Sequence, residues 1–351
     1  MKIIKNYDGA SIDIIHNDTK NNKVVLSLKK ELNNYSHYFN FKIINDLNKD
    51  GVICLTNFDK SLYYKENIQY VPYIKVKDKF ISNAEDKIKK DGNNYLITIE
   101  PNLECEISLY PRYVEDNLND FILKIKRKNN ISIINDIITE IRIGDFNKKT
   151  VAIIGRQHPG ETLSSFFIEG MIDAIIKNKS KLNEYSFIIF PMLNKVGVKN
   201  GNHRYTNGID YNRAWDNHHN VLEIEFIKQE LEKNIPMLFI DVHGDEISCQ
   251  DYIRTTNIKR GNKILDMLIL KDQSKFRRFI RGIIKQRKII NVFKMTAREY
   301  ISKKYHCEGM LVELSLINRE IDEVRKKGYN FILEILGGKK HEKEYHDSCE
   351  K

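Results

Sequence analysis

Thr150-Val151-Ala152-Ile153-Ile154-Gly155-Arg156-Gln157-His158-Pro159-Gly160-Glu161-Thr162 begins as a buried strand and ends at the mouth of a helix. The apolar run Val151 to Ile154 has strand character. Beyond Thr162, Leu163, Phe166, Phe167, Gly170, Met171 and Ala174 recur at helical spacing. Pro159 and Gly160 keep His158 and Glu161 out of a regular helix, so the pair belongs on the turn between the two elements. In open α/β sheets ligands gather at the carboxyl ends of strands, which makes this turn a candidate site.

The same rhythm continues downstream. Tyr185 to Phe190 reads as a second buried strand, Leu222 to Leu231 as a helix, and Met237-Leu238-Phe239-Ile240 as the strand after it. The pattern predicts an α/β fold with a mixed sheet covered by helices. Ile317 to Leu336 is expected to close it as a helix, stopped by Gly337-Gly338 and followed by a disordered charged tail.

Upstream the grammar differs. From Val24 to about Ile125 short alternating runs, such as Tyr38-Phe39-Asn40-Phe41-Lys42-Ile43, Gly51-Val52-Ile53-Cys54-Leu55 and Tyr95-Leu96-Ile97-Thr98-Ile99, are separated by polar clusters. They predict a small antiparallel β-sandwich. Leu118 to Ile125 and Lys128-Asn129-Asn130 mark a junction. The expected organisation is a sandwich domain over 1–125, a mixed-sheet domain over 126–338 and a tail over 339–351. No internal repeat or glycine-rich phosphate loop is visible.

Composition bounds the function. With 351 residues, 41% hydrophobic and 30% charged, the chain is an ordinary globular protein with ample core. The net charge of +10 is spread through a general richness in Lys and Asn. Pairs such as Arg277-Arg278 and Lys339-Lys340 do not form a basic stripe, so nucleic acid is not an expected partner. Cys54, Cys105, Cys249, Cys307 and Cys349 include no CxxC pair, which fits a reducing compartment. Met1-Lys2-Ile3-Ile4-Lys5 lacks a signal-peptide core and no apolar run approaches a membrane span, so the expected location is the cytoplasm, with no membrane partner.

An isolated HxxE pair is a weak signal. It gains weight from His243, which closes the apolar run Phe239-Ile240-Asp241-Val242-His243-Gly244 at a second strand end. Two imidazoles and one carboxylate make the three-ligand set of a catalytic zinc, with a coordination position left for water. Glu313, within Met310-Leu311-Val312-Glu313-Leu314, is a carboxylate in an apolar strand, costly to bury unpaired.

Gly155-Arg156-Gln157-His158-Pro159-Gly160-Glu161-Thr162 resembles the zinc motif of metallocarboxypeptidases of the cytosolic carboxypeptidase branch, the tubulin-type deglutamylases and their bacterial relatives. Phe190-Pro191-Met192-Leu193-Asn194, Asn200-Gly201-Asn202-His203-Arg204 and Asp210-Tyr211-Asn212-Arg213-Ala214-Trp215 resemble the next blocks in the same order. Tyr38-Phe39-Asn40-Phe41, Asn57-Phe58-Asp59-Lys60-Ser61 and Leu109-Tyr110-Pro111-Arg112-Tyr113 resemble landmarks of the sandwich that precedes that catalytic domain. The likeness covers roughly residues 30 to 336, dense at the motifs and loose between them.

The resemblance implies one Zn²⁺ per chain held by His158, Glu161 and His243. It implies Glu313 as the base for the attacking water and Arg204 as the group that polarises the scissile carbonyl. Asn212 and Arg213 resemble the pair that grips the terminal carboxylate, and Arg298, in Met295-Thr296-Ala297-Arg298, a residue that recognises an acidic C-terminal side chain. Tyr300 and Tyr305 are both candidates for a phenol near the substrate. The implied substrate is a peptide or protein C-terminus, with a preference for Glu.

Two departures bear on that preference. Lys195-Val196 follows Asn194 where the relatives usually carry Pro-Asp, and Asp245-Glu246 follows Gly244 instead of a more neutral continuation. The added carboxylates either support ligand imidazoles or repel an acidic substrate. A zinc amidohydrolase on a small or cell-wall peptide, of the D,L-carboxypeptidase or acylamino-acid deacylase type, stands as the alternative. A binding module without turnover is a third reading, opposed by the presence of all three ligands and Glu313.

Overall fold

The computed structural model describes residues 1–32, 36–58, 71–77, 79–81, 87–126, 131–135, 137–216, 220–257, 259–260, 262–264, 266, 279–280 and 295–337. Ten strands come first: β1 (Lys2–Ile4), β2 (Asp13–Asp18), β3 (Lys23–Ser27), β4 (Asn40–Asn45), β5 (Gly51–Thr56), β6 (Tyr73–Val76), β7 (Lys79–Ile81), β8 (Ile88–Asp91), β9 (Asn94–Ile99) and β10 (Leu103–Ser108). They form two five-stranded sheets, ordered β1-β4-β10-β6-β7 and β2-β3-β5-β9-β8. Alternate residues such as Val24, Leu26, Phe41, Ile43, Ile53, Ile97 and Ile107 are fully buried in one shared cluster, as a sandwich requires.

The first sheet is antiparallel throughout. In the second, β3 and β5 run parallel, because the chain crosses to β4 in the other sheet before returning. Asn57 takes a left-handed φ of 51°, and its side chain bonds both the N–H and the C=O of Leu28. Phe58 packs against Tyr95 with ring centroids 4.4 Å apart and planes tilted by 57°. The remainder of that landmark, Asp59 to Ser61, lies outside the described residues, as do the Lys128-Asn129-Asn130 junction, Arg277-Arg278, Cys349 and the tail 339–351.

At the expected junction stands a helix, α1 (Glu115–Lys126). Leu118, Ile122 and Ile125 form its buried stripe, while acidic residues in the first turn and lysines in the last suit the helix dipole. The chain continues through β11 (Ser132–Asn135), β12 (Thr139–Ile143), β13 (Lys149–Gly155), α2 (Leu163–Lys177), β14 (Tyr185–Phe190), α3 (Lys195–Lys199), β15 (Tyr205–Thr206) and β16 (Ile209–Asp210). Then come α4 (Leu222–Lys233), β17 (Pro236–Asp245), β18 (Asp251–Thr255), β19 (Phe279–Ile280), α5 (Ala297–Tyr305), β20 (Glu308–Ser315) and α6 (Ile321–Gly337).

These strands build an eight-stranded mixed sheet, ordered β11-β12-β14-β13-β17-β20-β18-β19. The four central strands, β14, β13, β17 and β20, are parallel, and β12 and β18 flank them antiparallel. Both faces are buried. Val151, Ile153, Ile189, Ile240 and Val242 pack with residues of α2 and α6, whereas Ala152, Ile154, Phe190 and Phe239 pack with Trp215 and residues of α4 and α5. Helix α6 begins four residues beyond the expected Ile317, because Leu316 and Ile317 are buried in a loop that turns at Asn318, with φ 48°. Cys54, Cys105, Cys249 and Cys307 are free thiols, and no described helix is long and apolar enough to cross a membrane.

Candidate active site

The turn after β13 is shaped by Arg156, which is buried with a left-handed φ of 59°. A non-glycine residue there is strained. Its guanidinium offsets the cost by donating to the carbonyl of Pro159 from Nε (3.0 Å) and Nη2 (2.6 Å), and from Nη1 to Ser165 Oγ (2.9 Å) and the Tyr113 carbonyl (3.1 Å). The chain folds back so that His158 and Glu161 converge. Gly160 donates its N–H to the His203 carbonyl at 2.8 Å. A Cβ at Gly160 would lie 2.2 Å from His203 Nδ1, so only glycine fits against that ring.

His243 arrives on β17, and its register partner on β20 is Glu313. Glu161 lies between the two imidazoles. Its Oε1 is 2.6 Å from His158 Nδ1, its Oε2 is 2.8 Å from His243 Nδ1, and Oε2 also accepts the Gly244 N–H at 3.0 Å. One donor atom from each of the three residues lies within 4.8 Å of the others, and all three residues are buried.

Each imidazole meets a carboxylate at its far nitrogen. His158 Nε2 is 3.0 Å from Asp210 Oδ1 and His243 Nε2 is 3.1 Å from Asp241 Oδ1. Such partners fix the proton on Nε2 and turn the Nδ1 lone pair toward a metal. Gln157 holds Asp241 in place, donating from Nε2 to both carboxylate oxygens (2.8 and 3.0 Å) while its Oε1 accepts from Trp215 Nε1 (2.8 Å).

The charge balance favours a cation. Burial opposes protonation of His158 and His243, yet Glu161 with Asp210 raises the first, and Asp241 with Glu161 raises the second well above the usual range. Burial likewise opposes ionisation of Glu161, but the two histidines hold it well below the carboxylate range. A dication at the Nδ1 atoms would replace two protons without changing the charge, so the donor set fits Zn²⁺.

Glu313 stands beside His243 on the neighbouring strand. Burial pushes its carboxyl up to about 8, countered by His243 and reinforced by Glu161, Asp245 and Glu246. Across β18 its register partner is Tyr252, whose hydroxyl donates to Asp245 Oδ2 at 2.7 Å. Tyr252 is thus a phenol next to the base. Of the phenols expected from sequence, Tyr300 packs on Trp215 with centroids 6.3 Å apart, and Tyr305 donates to the Lys228 carbonyl at 3.3 Å. Tyr305 thus joins α5 to α4, and the Lys228 ammonium of α4 lies 4.7 Å from the centre of the Tyr300 ring.

Arg204 is joined to the histidine through Asp210, donating to its Oδ2 from Nε (3.1 Å) and Nη2 (2.9 Å). The amide of Asn212 is committed: Oδ1 accepts the Ala297 N–H at 3.0 Å and Nδ2 lies 3.1 Å from His243 Nε2. Arg213 is half-buried and donates to the Asn212 carbonyl at 2.7 Å. Arg298 opens α5 with its aliphatic stem over Gly309. Its Nη2 lies 3.8 Å from Glu299 Oε1, and its Nε is buried without a hydrogen-bond partner among the described residues, within the fields of Glu299, Asp241, Arg254 and Glu313.

Asp245 and Glu246 are both engaged. Asp245 Oδ1 accepts the N–H groups of Ile247 (2.8 Å) and Ser248 (2.7 Å). Glu246 Oε1 sits 2.7 Å from His203 Nε2, and although burial opposes it, that contact holds the carboxyl down near 2. Sequence reading missed Asp210, Asp241, Gln157 and Tyr252 as parts of the site. The strand alternation that places Asp241 and His243 on one face was available as a signal for Asp241.

Residues 122–234 match the family model described as zinc carboxypeptidase. Human cytosolic carboxypeptidase 1 is 36% identical over 110 residues, which span 28% of this chain and 9% of that protein. The chain thus spans only a small part of the length of such relatives. Among solved structures, a metallocarboxypeptidase from Burkholderia cenocepacia aligns over 95% of this chain and 98% of its own at 18% identity, with a TM-score of 0.81. A metallocarboxypeptidase from Pseudomonas aeruginosa, in complex with (2-guanidinoethylmercapto)succinic acid, aligns over 96% and 98% at 18% identity, with a TM-score of 0.78. The turn that brings His158 to Glu161 lies inside the segment that matches the zinc carboxypeptidase model, and the fold around it is similar to that of these metallocarboxypeptidases over nearly the whole chain.

Proposed function

We propose that the chain is a zinc-dependent carboxypeptidase that hydrolyses the last peptide bond of a peptide or protein, working in the cytoplasm. The observation that carries this reading is the convergence of His158 Nδ1, Glu161 and His243 Nδ1 at one point beside Glu313. Zinc bound there would supply Lewis acidity to the scissile carbonyl and to the attacking water. Glu313 takes the proton from that water and passes it to the leaving amine; a neighbouring dication would draw its raised pKa downward into the working range. Arg204 stabilises the charge that develops on the carbonyl oxygen, once its hold on Asp210 is shared with the substrate.

Arg213 receives the terminal carboxylate. Asn212 supports it by keeping the start of α5 in place, its Oδ1 accepting the Ala297 N–H. Arg298, whose Nε has no hydrogen-bond partner among the described residues and whose Nη2 lies 3.8 Å from Glu299 Oε1, is the cation assigned to an acidic terminal side chain, against which the charges of Asp245 and Glu246 act. A decisive assay is the kcat/KM of zinc-loaded protein on peptides that differ only in ending with Glu, Gln, Leu or Lys, in wild type and Arg298→Ala. The expected result is a preference for Glu that falls about tenfold or more relative to Gln in the variant. A wild-type preference for Leu or Lys would overturn the Glu reading, and turnover of acylamino acids in place of peptides would favour the amidohydrolase.

A further inference from the structure

Arg204 lies on an irregular segment between α3 and β15, with little regular structure of its own to fix its position beside Asp210 and His158. Both ends of that segment rest on the N-terminal sandwich half. At the near end, the Gly9 N–H donates to the Lys199 carbonyl at 2.9 Å. Gly201, with φ +67°, sits so close to Ala10 that a Cβ would fall 2.2 Å from the Ala10 carbonyl oxygen. At the far end a single side chain from the sandwich half collects three consecutive backbone donors. Glu31 Oε1 accepts the N–H of His203, and its Oε2 accepts those of Arg204 (3.0 Å) and Tyr205 (2.9 Å).

Successive N–H groups turned to one point form a concave anion site, and here the protein fills it with its own carboxylate. Charge-assisted bonds of this kind are among the stronger ones available to a backbone. The same segment reaches the zinc-site turn from its other side, because the His203 carbonyl accepts the Gly160 N–H at 2.8 Å. Glu31 is therefore tied, through a few residues of backbone, both to the guanidinium that bonds Asp210 and to the loop that carries His158 and Glu161.

We propose that Glu31 is a positioning residue for the reaction: by filling the backbone anion site at residues 203–205 it sets the placement of Arg204, and this makes the N-terminal half part of the catalytic apparatus. The proposal rests on the role given to Arg204 above. A displacement of about 1 Å in a stabilising group costs on the order of a hundredfold in rate, so the effect belongs in kcat rather than in substrate binding. Glu31→Ala would leave the three donors around a space of carboxylate size, which added acetate can occupy.

The test compares wild type, Glu31→Ala, Glu31→Gln and Arg204→Ala, each zinc-loaded, with zinc content, kcat and KM on a free-terminus peptide, and amide hydrogen exchange at residues 203–205, with and without acetate. The expected result for Glu31→Ala is a 10- to 100-fold fall in kcat with KM changed less than threefold, unchanged zinc, and exchange at 203–205 at least tenfold faster. Acetate should reverse both changes in that variant and do nothing in wild type. Glu31→Gln keeps the size of the side chain but can accept from only one atom; it should be slowed less and ignore acetate, and it carries the rate test should the alanine variant fail to fold. Wild-type kcat in either Glu31 variant, while Arg204→Ala is crippled, would overturn the proposal. So would a loss of kcat that tracks zinc loss or resists acetate. An unaffected Arg204→Ala, or an inactive wild type, would instead refute the functional reading, and the exchange data would still report whether Glu31 holds the segment.

Discussion

His158 and His243 could be picked out of the sequence because each closely follows an apolar strand, and Glu161 because it stands three residues beyond His158 on the same turn. The supporting Asp210 and Gln157 could not. Asp210 meets His158 across 52 residues and Gln157 meets Asp241 across 84. No local pattern distinguishes either from an ordinary polar residue, because the pairing is made by the sheet. Glu313 shows the same division: its strand was legible, whereas the rise of its carboxyl to about 8 comes from burial, from Glu161 on the turn after β13 and from Asp245 and Glu246 at the end of β17. Glu313→Gln should preserve zinc content and fold while lowering kcat by about 10² to 10⁴, the usual contribution of a positioned proton acceptor. Metal analysis and steady-state kinetics on the same preparation check this, and near-wild-type turnover would assign the base elsewhere.

Among the elements, the central strands and α2 were legible because both periodicities are strong there. Helix α1 escaped because it sits at the end of a β-rich stretch and its stripe is only Leu118, Ile122 and Ile125. The parallel β3–β5 pair escaped because alternation fixes which side faces the core but not which strand is the neighbour. Close helix contact is another property that only the packed structure reveals. A Cβ on Gly170 would lie 2.0 Å from the Arg325 carbonyl oxygen and one on Gly328 2.0 Å from that of Phe167, so α2 and α6 meet backbone to backbone. Gly328→Ala should therefore destabilise the protein by about 1–3 kcal/mol, despite alanine's better helix propensity, because the helices must separate. Urea titrations of the two proteins measure it; an unchanged or raised midpoint would show that the helices can slide apart at no cost.

The molecule as a whole is joined through buried polar contacts as well as apolar ones. His37 of the sandwich half packs edge-on to His203 of the second half, with ring centroids 4.7 Å apart, and its Nε2 lies 2.9 Å from the Tyr110 hydroxyl. Burial, aided by His203 and opposed by Glu246, lowers its pKa from 6.5 to about 3. Unfolded chains take up that proton below pH 6.5 and the folded protein does not until about pH 3, so stability is present above 6.5 and is lost as pH falls through this window. The slope is about 1.4 kcal/mol per pH unit. Glu246, lowered from 4.5 to about 2, acts with the same sign below pH 4.5. Urea midpoints measured from pH 7 to 5 should fall in wild type and fall less in His37→Asn; parallel curves would remove His37 from the account. Function at this scale rests on one claim, that the sheet, the sandwich and the zinc-site turn together make an exopeptidase. Its most direct test follows a peptide by mass spectrometry after incubation with zinc-loaded protein, once with a free C-terminus and once amidated. The account predicts loss of a single C-terminal residue from the free peptide, at least a hundredfold slower reaction of the amide because Arg213 is left without its ionic partner, and no reaction after chelation. Internal cleavage, or equal rates on the two peptides, would contradict it.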